Sequence, residues 1–79
     1  MTYKEFAEYF KTLRILKGYN QKDFANILGL NKTTYCRIEN GLIEPNFKIL
    51  QLICRHLEID LTKVLELKKP ITKHNMFYD

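Results

Sequence analysis

Five side chains with complementary hydrogen-bonding chemistry lie within positions 31–37: Asn31, Lys32, Thr33, Cys36 and Arg37. They offer an amide, an ammonium, a hydroxyl, a thiol and a guanidinium. This set holds no acid/base pair or activated nucleophile, and none converges elsewhere in the sequence, so an enzyme is not expected. The same groups do match the edges of DNA bases and the phosphates between them. The cluster therefore favours nucleic-acid binding over catalysis.

A short helix over about 21–28 is predicted ahead of this cluster. Asn20 is suited to cap its start, because an asparagine oxygen accepts from the free amides of the first turn. Gly29 is suited to end it, because glycine enters the left-handed conformation at little cost. The apolar side is supplied by Phe24, Ala25, Ile27 and Leu28.

A second helix is needed to bring the cluster onto one face. Asn31 can cap it, and it is predicted to run from Lys32 to about Asn40. Tyr35 and Ile38 are three residues apart and should face inward, which leaves the polar cluster outside. Two short helices joined by a tight turn are typical of a helix-turn-helix, whose second helix reads DNA.

The first seventeen residues predict a longer helix. Thr2 and Glu5 have the spacing of a capping box at its start. The helical period places Phe6, Phe10, Leu13 and Leu16 or Lys17 toward the core. Tyr3, Tyr9 and Ile15 widen this stripe, which leaves two hypotheses: a broad core face with tyrosines reaching water, or contact with a partner or the tail.

Two further helices are predicted after the cluster. Asn46 should cap one from Phe47 to about Leu57, and Asp60 should cap another from Leu61 to about Leu67. The first has a buried stripe of Phe47, Leu50, Ile53, Cys54 and Leu57. We therefore expect a domain over residues 1–67 and a tail over 68–79, where the periodic pattern ends.

The spacing of these motifs resembles the Cro/lambda-repressor-like family, also called the XRE family, over residues 13–65. The matching residues are Leu13, Arg14, Gly18, Asn20, Gln21, Phe24, Ala25, Gly29, Ile38, Glu39, Asn40, Gly41, Pro45, Leu50, Ile53 and Leu57. The resemblance implies an all-α, five-helix lambda-repressor-like DNA-binding domain in which helices 2 and 3 form the helix-turn-helix. One departure is Glu58, where the family often has glycine: either a left-handed residue there is strained, or the turn differs from that of the family.

The resemblance also implies roles for single residues. Arg14 should form an ion pair with Glu39, the alternative being two solvated charges. Contacts to base edges are expected from the five clustered residues, with Arg37 the best guanine reader because a guanidinium can contact O6 and N7 together. Contacts to the DNA backbone are expected from Gln21, Lys22, Thr34 and Asn40.

One such domain reads few base pairs, so we expect a homodimer on a pseudo-palindromic operator of double-stranded DNA. The apolar residues left for the dimer contact are Leu61, Val64, Leu65 and Leu67, which the tail could extend. The alternative is that this helix is used entirely by its own core. The family resemblance implies a transcriptional regulator, most often a repressor. The alternative is a protein-interaction module, such as an antitoxin whose main partner is a toxin.

Composition limits the other possibilities. The 79 residues carry a net charge of +4, which fits a polyanionic partner but fits equally a protein with spare surface lysines. No apolar run is long enough for a membrane span, which takes ~18 residues. The start of the chain lacks the pattern of a secretory signal, so a cytoplasmic protein with reduced thiols is expected. Cys36 and Cys54 lie apart and imply no metal, and no cofactor is expected.

Overall fold

Four capped helices follow one another in the computed structural model, which describes residues 2–62. They are α1 (Tyr3–Leu16), α2 (Gln21–Leu28), α3 (Lys32–Glu39) and α4 (Phe47–Leu57). The described residues contain no strand, which confirms the all-α prediction. Residues 61 and 62 are helical, but the rest of the predicted fifth helix and the tail lie outside the described residues.

Each helix begins at the cap that the sequence predicts. Thr2, Asn20, Asn31 and Asn46 have extended backbones, and the side chain of each accepts a hydrogen bond from the amide three residues ahead. In return, Oε1 of Glu5 accepts a hydrogen bond from the backbone N–H of Thr2 at 2.8 Å, which completes the capping box. Four local signals thus fix where the helices start, before any packing is considered.

The core is built around aromatic rings from α1, α2 and α3. Phe10, Phe24 and Tyr35 have no exposed surface, and the rings of Phe24 and Tyr35 meet edge to face with centroids 5.6 Å apart. From α4 come the buried side chains of Leu50, Ile53, Cys54 and Leu57. Burial raises the pKa of the Cys54 thiol, so this cysteine is held as an uncharged core residue.

Three apolar residues predicted to be buried are exposed. Leu16 is 75% exposed, Phe47 is 52% exposed and Ile27 is 38% exposed. Lys17, the alternative to Leu16, is exposed as well. The buried line on α1 instead runs through Phe6, Phe10 and Arg14, at intervals of four residues, so the core-facing stripe is rotated away from Leu16. Phe47 occupies the first position of α4, whose contacts with the core begin at Ile49.

The start of α1 packs against the end of α3. The Tyr3 hydroxyl donates to the carbonyl oxygen of Ile38 at 2.8 Å, which satisfies one of the last carbonyls of α3. Gly41 lies beside Lys4, and a Cβ at Gly41 would come within 2.9 Å of the Lys4 Cγ. Gly41 also has φ of 78°, so both its backbone and its surroundings favour glycine. These contacts hold the C-terminal end of α3 against the start of α1.

Candidate nucleic-acid interface

A buried ion pair joins α1 to α3 beneath the polar cluster. The Arg14 guanidinium contacts both carboxylate oxygens of Glu39, with Nε to Oε2 at 2.7 Å and Nη2 to Oε1 at 3.0 Å. The side chains are only 6% and 0% exposed. Arg14 also donates from Nη1 to the carbonyl oxygen of Tyr19 at 2.6 Å. A guanidinium that contacts both oxygens of a carboxylate is held more strongly and in a more defined orientation than by one hydrogen bond, so the pair ties α1 to α3.

Two further donors reach the same carboxylate. The Tyr35 hydroxyl donates to Oε2 of Glu39 at 2.5 Å, and Nε2 of Gln21 donates to Oε1 at 2.9 Å. Burial alone would raise the pKa of Glu39, but the hydrogen bonds from Arg14, Tyr35 and Gln21 outweigh it and lower that pKa. The hydrogen bond to Glu39 raises the pKa of Arg14 above its already high value. The pair is therefore fully ionised at neutral pH, and Glu39 links α1, α2 and α3.

The polar cluster is largely exposed, whereas the side chains that hold α3 to the rest of the domain are buried. Tyr35, Ile38 and Glu39 are buried, whereas Asn31, Lys32, Thr33 and Arg37 are exposed. The exposed side chains offer charged and neutral hydrogen-bond donors along one helix face, and no acidic residue of α3 shares it. Such a face can present donors to an acceptor-rich surface such as a DNA groove.

The other predicted site residues differ in exposure. Lys22 and Asn40 are exposed, and Thr34 is half-buried. Asn40 also caps the end of α3, where its backbone N–H reaches the carbonyl oxygen of Cys36. Of the predicted dimer residues, Leu61 is half-buried and packs on the chain's own core. The others, Val64, Leu65 and Leu67, lie outside the described residues.

Gln21 and Cys36 contact each other. The Cys36 thiol is half-buried and donates to Oε1 of Gln21, with Sγ and oxygen 3.3 Å apart. The Gln21 amide therefore has one partner at each end, Glu39 and Cys36, and it connects the first residue of α2 with the middle of α3. This inward engagement of Gln21 was not expected from the sequence.

The hydrogen bonds of the Tyr3 and Tyr35 hydroxyls were not predicted from the sequence either. Tyr35 precedes Glu39 by four residues, so the helical period could have indicated their contact. Tyr3 and Ile38 are separated by 35 positions, and no local pattern relates them. Burial raises the pKa of both tyrosines well above the ordinary value, so both hydroxyls act as donors at neutral pH.

Within residues 2–62, no three His, Cys, Asp or Glu side chains are grouped as a metal ion would require. In the same range, no helix has the length and apolar character needed to cross a membrane.

Comparison with known proteins gives two matches. A family model described as helix-turn-helix matches residues 10–64, a range that contains α2, α3 and α4 in full. The chain is also 33% identical over 61 residues to the SPbeta prophage-derived uncharacterized HTH-type transcriptional regulator YonR of Bacillus subtilis (strain 168). That alignment covers 77% of this chain and 56% of the relative, so the chain spans little more than half the relative's length.

Proposed function

Because the chain belongs to the helix-turn-helix family, we propose that it is a sequence-specific DNA-binding transcriptional regulator whose helix α3 enters the major groove of its operator. The observation that supports this most is the division of α3 into two sides. Its inner side is anchored through Glu39 to α1 and α2, while its outer side exposes Lys32, Thr33 and Arg37. A recognition helix must be held rigidly by the rest of the domain and must also present hydrogen-bond donors to the DNA.

The roles proposed for single residues follow from this placement. Arg37 would contact a guanine at O6 and N7, and Lys32 a guanine or a phosphate. Thr33 would contact a thymine methyl or donate a hydrogen bond, and Asn31 would cap α3 at the groove edge. Cys36 borders this surface with its thiol turned to Gln21.

Contacts to the DNA backbone are proposed at the two ends of this face. Gln21 and Lys22 begin α2, where unpaired helix amides attract a phosphate. Thr34 and Asn40 would add contacts from the first turn and the end of α3. Such contacts fix the register of the protein on the duplex but carry no sequence information.

At the level of the assembly, we propose a homodimer that represses transcription in the cytoplasm from a pseudo-palindromic operator. Two copies would place their α3 helices one DNA turn apart, ~34 Å, and so double the number of base pairs read. The relative is named as an HTH-type transcriptional regulator, which supports a role in regulation but does not distinguish repression from activation.

The test is selection of bound sequences from random duplex DNA, followed by affinity measurements at several salt concentrations. We expect an enriched pseudo-palindrome with half-sites ~10 base pairs apart and an affinity that falls as salt rises. The Arg37→Ala protein should enrich a site with one degenerate position in each half. A chain that enriched no sequence, and instead retained a protein partner as an antitoxin retains a toxin, would replace this proposal.

A further inference from the structure

The direction of the Gln21 side-chain amide is set by its two partners. An ionised carboxylate only accepts hydrogen bonds, so the NH₂ end of Gln21 must face Glu39. The carbonyl end then faces Cys36, whose thiol supplies the donor at 3.3 Å. The lowered pKa of Glu39 keeps that carboxylate ionised at neutral pH, so the reverse orientation would place two acceptors together.

This orientation leaves one donor of Gln21 unused by the described residues. The amide nitrogen carries two hydrogens, and one of them goes to Oε1 of Glu39. Gln21 is the first residue of α2 and is half-buried, so its amide lies at the boundary between the domain and the DNA backbone proposed above. The second hydrogen is the natural donor to a phosphate oxygen.

We propose that Cys36 acts on DNA binding through Gln21, as a positioning residue, and not by touching a base. The inference rests on the proposed function and deepens it. Cys36 is half-buried while Lys32, Thr33 and Arg37 are exposed, and its thiol is directed to Gln21. By holding the carbonyl end of the amide, Cys36 fixes the side chain from which the phosphate donor projects.

The two roles for Cys36 differ in what they do to sequence preference. A residue that touches a thymine methyl changes the preference at one base pair when it is removed. Removal of a residue that positions a phosphate contact weakens binding to all duplexes by the same factor. Its effect also depends on Gln21, because there is nothing left to position once that side chain is gone.

The experiment measures binding of selected and random duplexes by the wild type, Cys36→Ala, Gln21→Ala and the double variant. We expect Cys36→Ala to lower the affinity for both duplexes about threefold. The loss is modest because a thiol is a weak hydrogen-bond donor. In the Gln21→Ala background, Cys36→Ala should have no further effect. Cys36→Ser keeps a donor and should restore most of the binding. Thr33→Ala, an exposed change on the same helix, is the matched control and should alter base preference.

A second measurement needs no DNA. In the free protein, the side-chain amide resonances of Gln21 should shift in Cys36→Ala and move back toward the wild-type positions in Cys36→Ser. Unmoved resonances, additive losses in the double variant, or a changed preference at one base pair in Cys36→Ala would each overturn the inference. Failure of the wild type to bind any duplex would instead reject the proposed function, and the positioning role on DNA with it.

Discussion

At the scale of single residues, Arg37 has the clearest expected effect on recognition. It is exposed on the outer side of α3, and we propose that it reads a guanine. Arg37→Ala should cost ~1–3 kcal/mol of specific binding and relax the preference at one base position. The measurement is affinity for the selected site and for single-base variants of it. Arg55→Ala, an exposed change on α4, is the control. Equal weakening on selected and random DNA would show that Arg37 contacts a phosphate.

Glu39 gives a residue-scale prediction about pH. Its pKa is lowered in the folded chain, against an unfolded value of ~4.3. As the pH falls, the unfolded state therefore takes up the proton before the folded state does. The stabilisation that ionised Glu39 contributes is fully present above pH ~4.3 and is lost as the pH falls through the folded pKa. Denaturant unfolding from pH 7 to pH 3 should therefore show a steeper acid loss for the wild type than for Glu39→Gln. Parallel pH profiles would contradict it.

The sequence predicted which residues cap helices or are buried better than it predicted their long-range hydrogen-bond partners. The capping residues, the inward Tyr35 and Ile38, and the buried Leu50 and Ile53 follow from local spacing, and the structure agrees with them. The second partner of Glu39 across the domain, Gln21, does not follow, because an eighteen-residue separation leaves no periodic trace. The exposed Leu16 shows a second limit, since the helical period indicates which residues share a face but not how far around the helix the core extends.

At the scale of helices, the contact between α1 and α3 depends on Arg14 and Glu39. Their side chains are almost fully buried, and loss of one partner leaves the other charge uncompensated, at a typical cost of ~3–5 kcal/mol. We expect Arg14→Met alone to destabilise the domain more than Arg14→Met combined with Glu39→Gln. The measurement is a double-mutant cycle in denaturant.

The exposed pair of Lys17 and Glu58 is the control for this cycle. Its atoms are 3.2 Å apart, but the side chains are 34% and 79% exposed. A solvent-screened pair contributes ~0–1 kcal/mol, so Lys17→Met and Glu58→Gln should show little coupling. Similar coupling in the two cycles would mean that burial does not strengthen the Arg14–Glu39 pair.

The end of α4 offers a second prediction at this scale. Glu58 adopts a left-handed conformation with φ of 59°, and it is the only residue other than glycine with positive φ among residues 2–62. Glu58→Gly should stabilise the domain by ~0.5–1 kcal/mol, because glycine has no Cβ to strain there. Glu58→Ala removes the same ion pair but keeps the strain, so it should have almost no effect. The measurement is thermal unfolding of the wild type, Glu58→Gly and Glu58→Ala. A lower melting temperature for Glu58→Gly than for the wild type would show that Glu58 is not strained.

At the scale of the whole molecule, the proposed dimer depends on the segment after Asp60. Leu61 packs on its own core, which leaves Val64, Leu65 and Leu67, outside the described residues, as the predicted contact. Val64→Glu should give folded monomers, because a charge cannot be buried unpaired at a two-fold contact. Sedimentation measures this, with Thr62→Glu as the control on an exposed position. A wild type that is monomeric well above micromolar concentration would exclude the dimer.

The division of α3 into an anchored inner side and an exposed outer side also has a consequence for how such a protein can change. Tyr35 and Glu39 hold the helix through buried hydrogen bonds, so substitutions there disturb the fold. Lys32, Thr33 and Arg37 are exposed, and substitutions at such positions typically shift stability by less than ~0.5 kcal/mol. Under the function proposed above, exchange of these three outer side chains would therefore give a related chain a new operator without a compensating change in the scaffold that carries them.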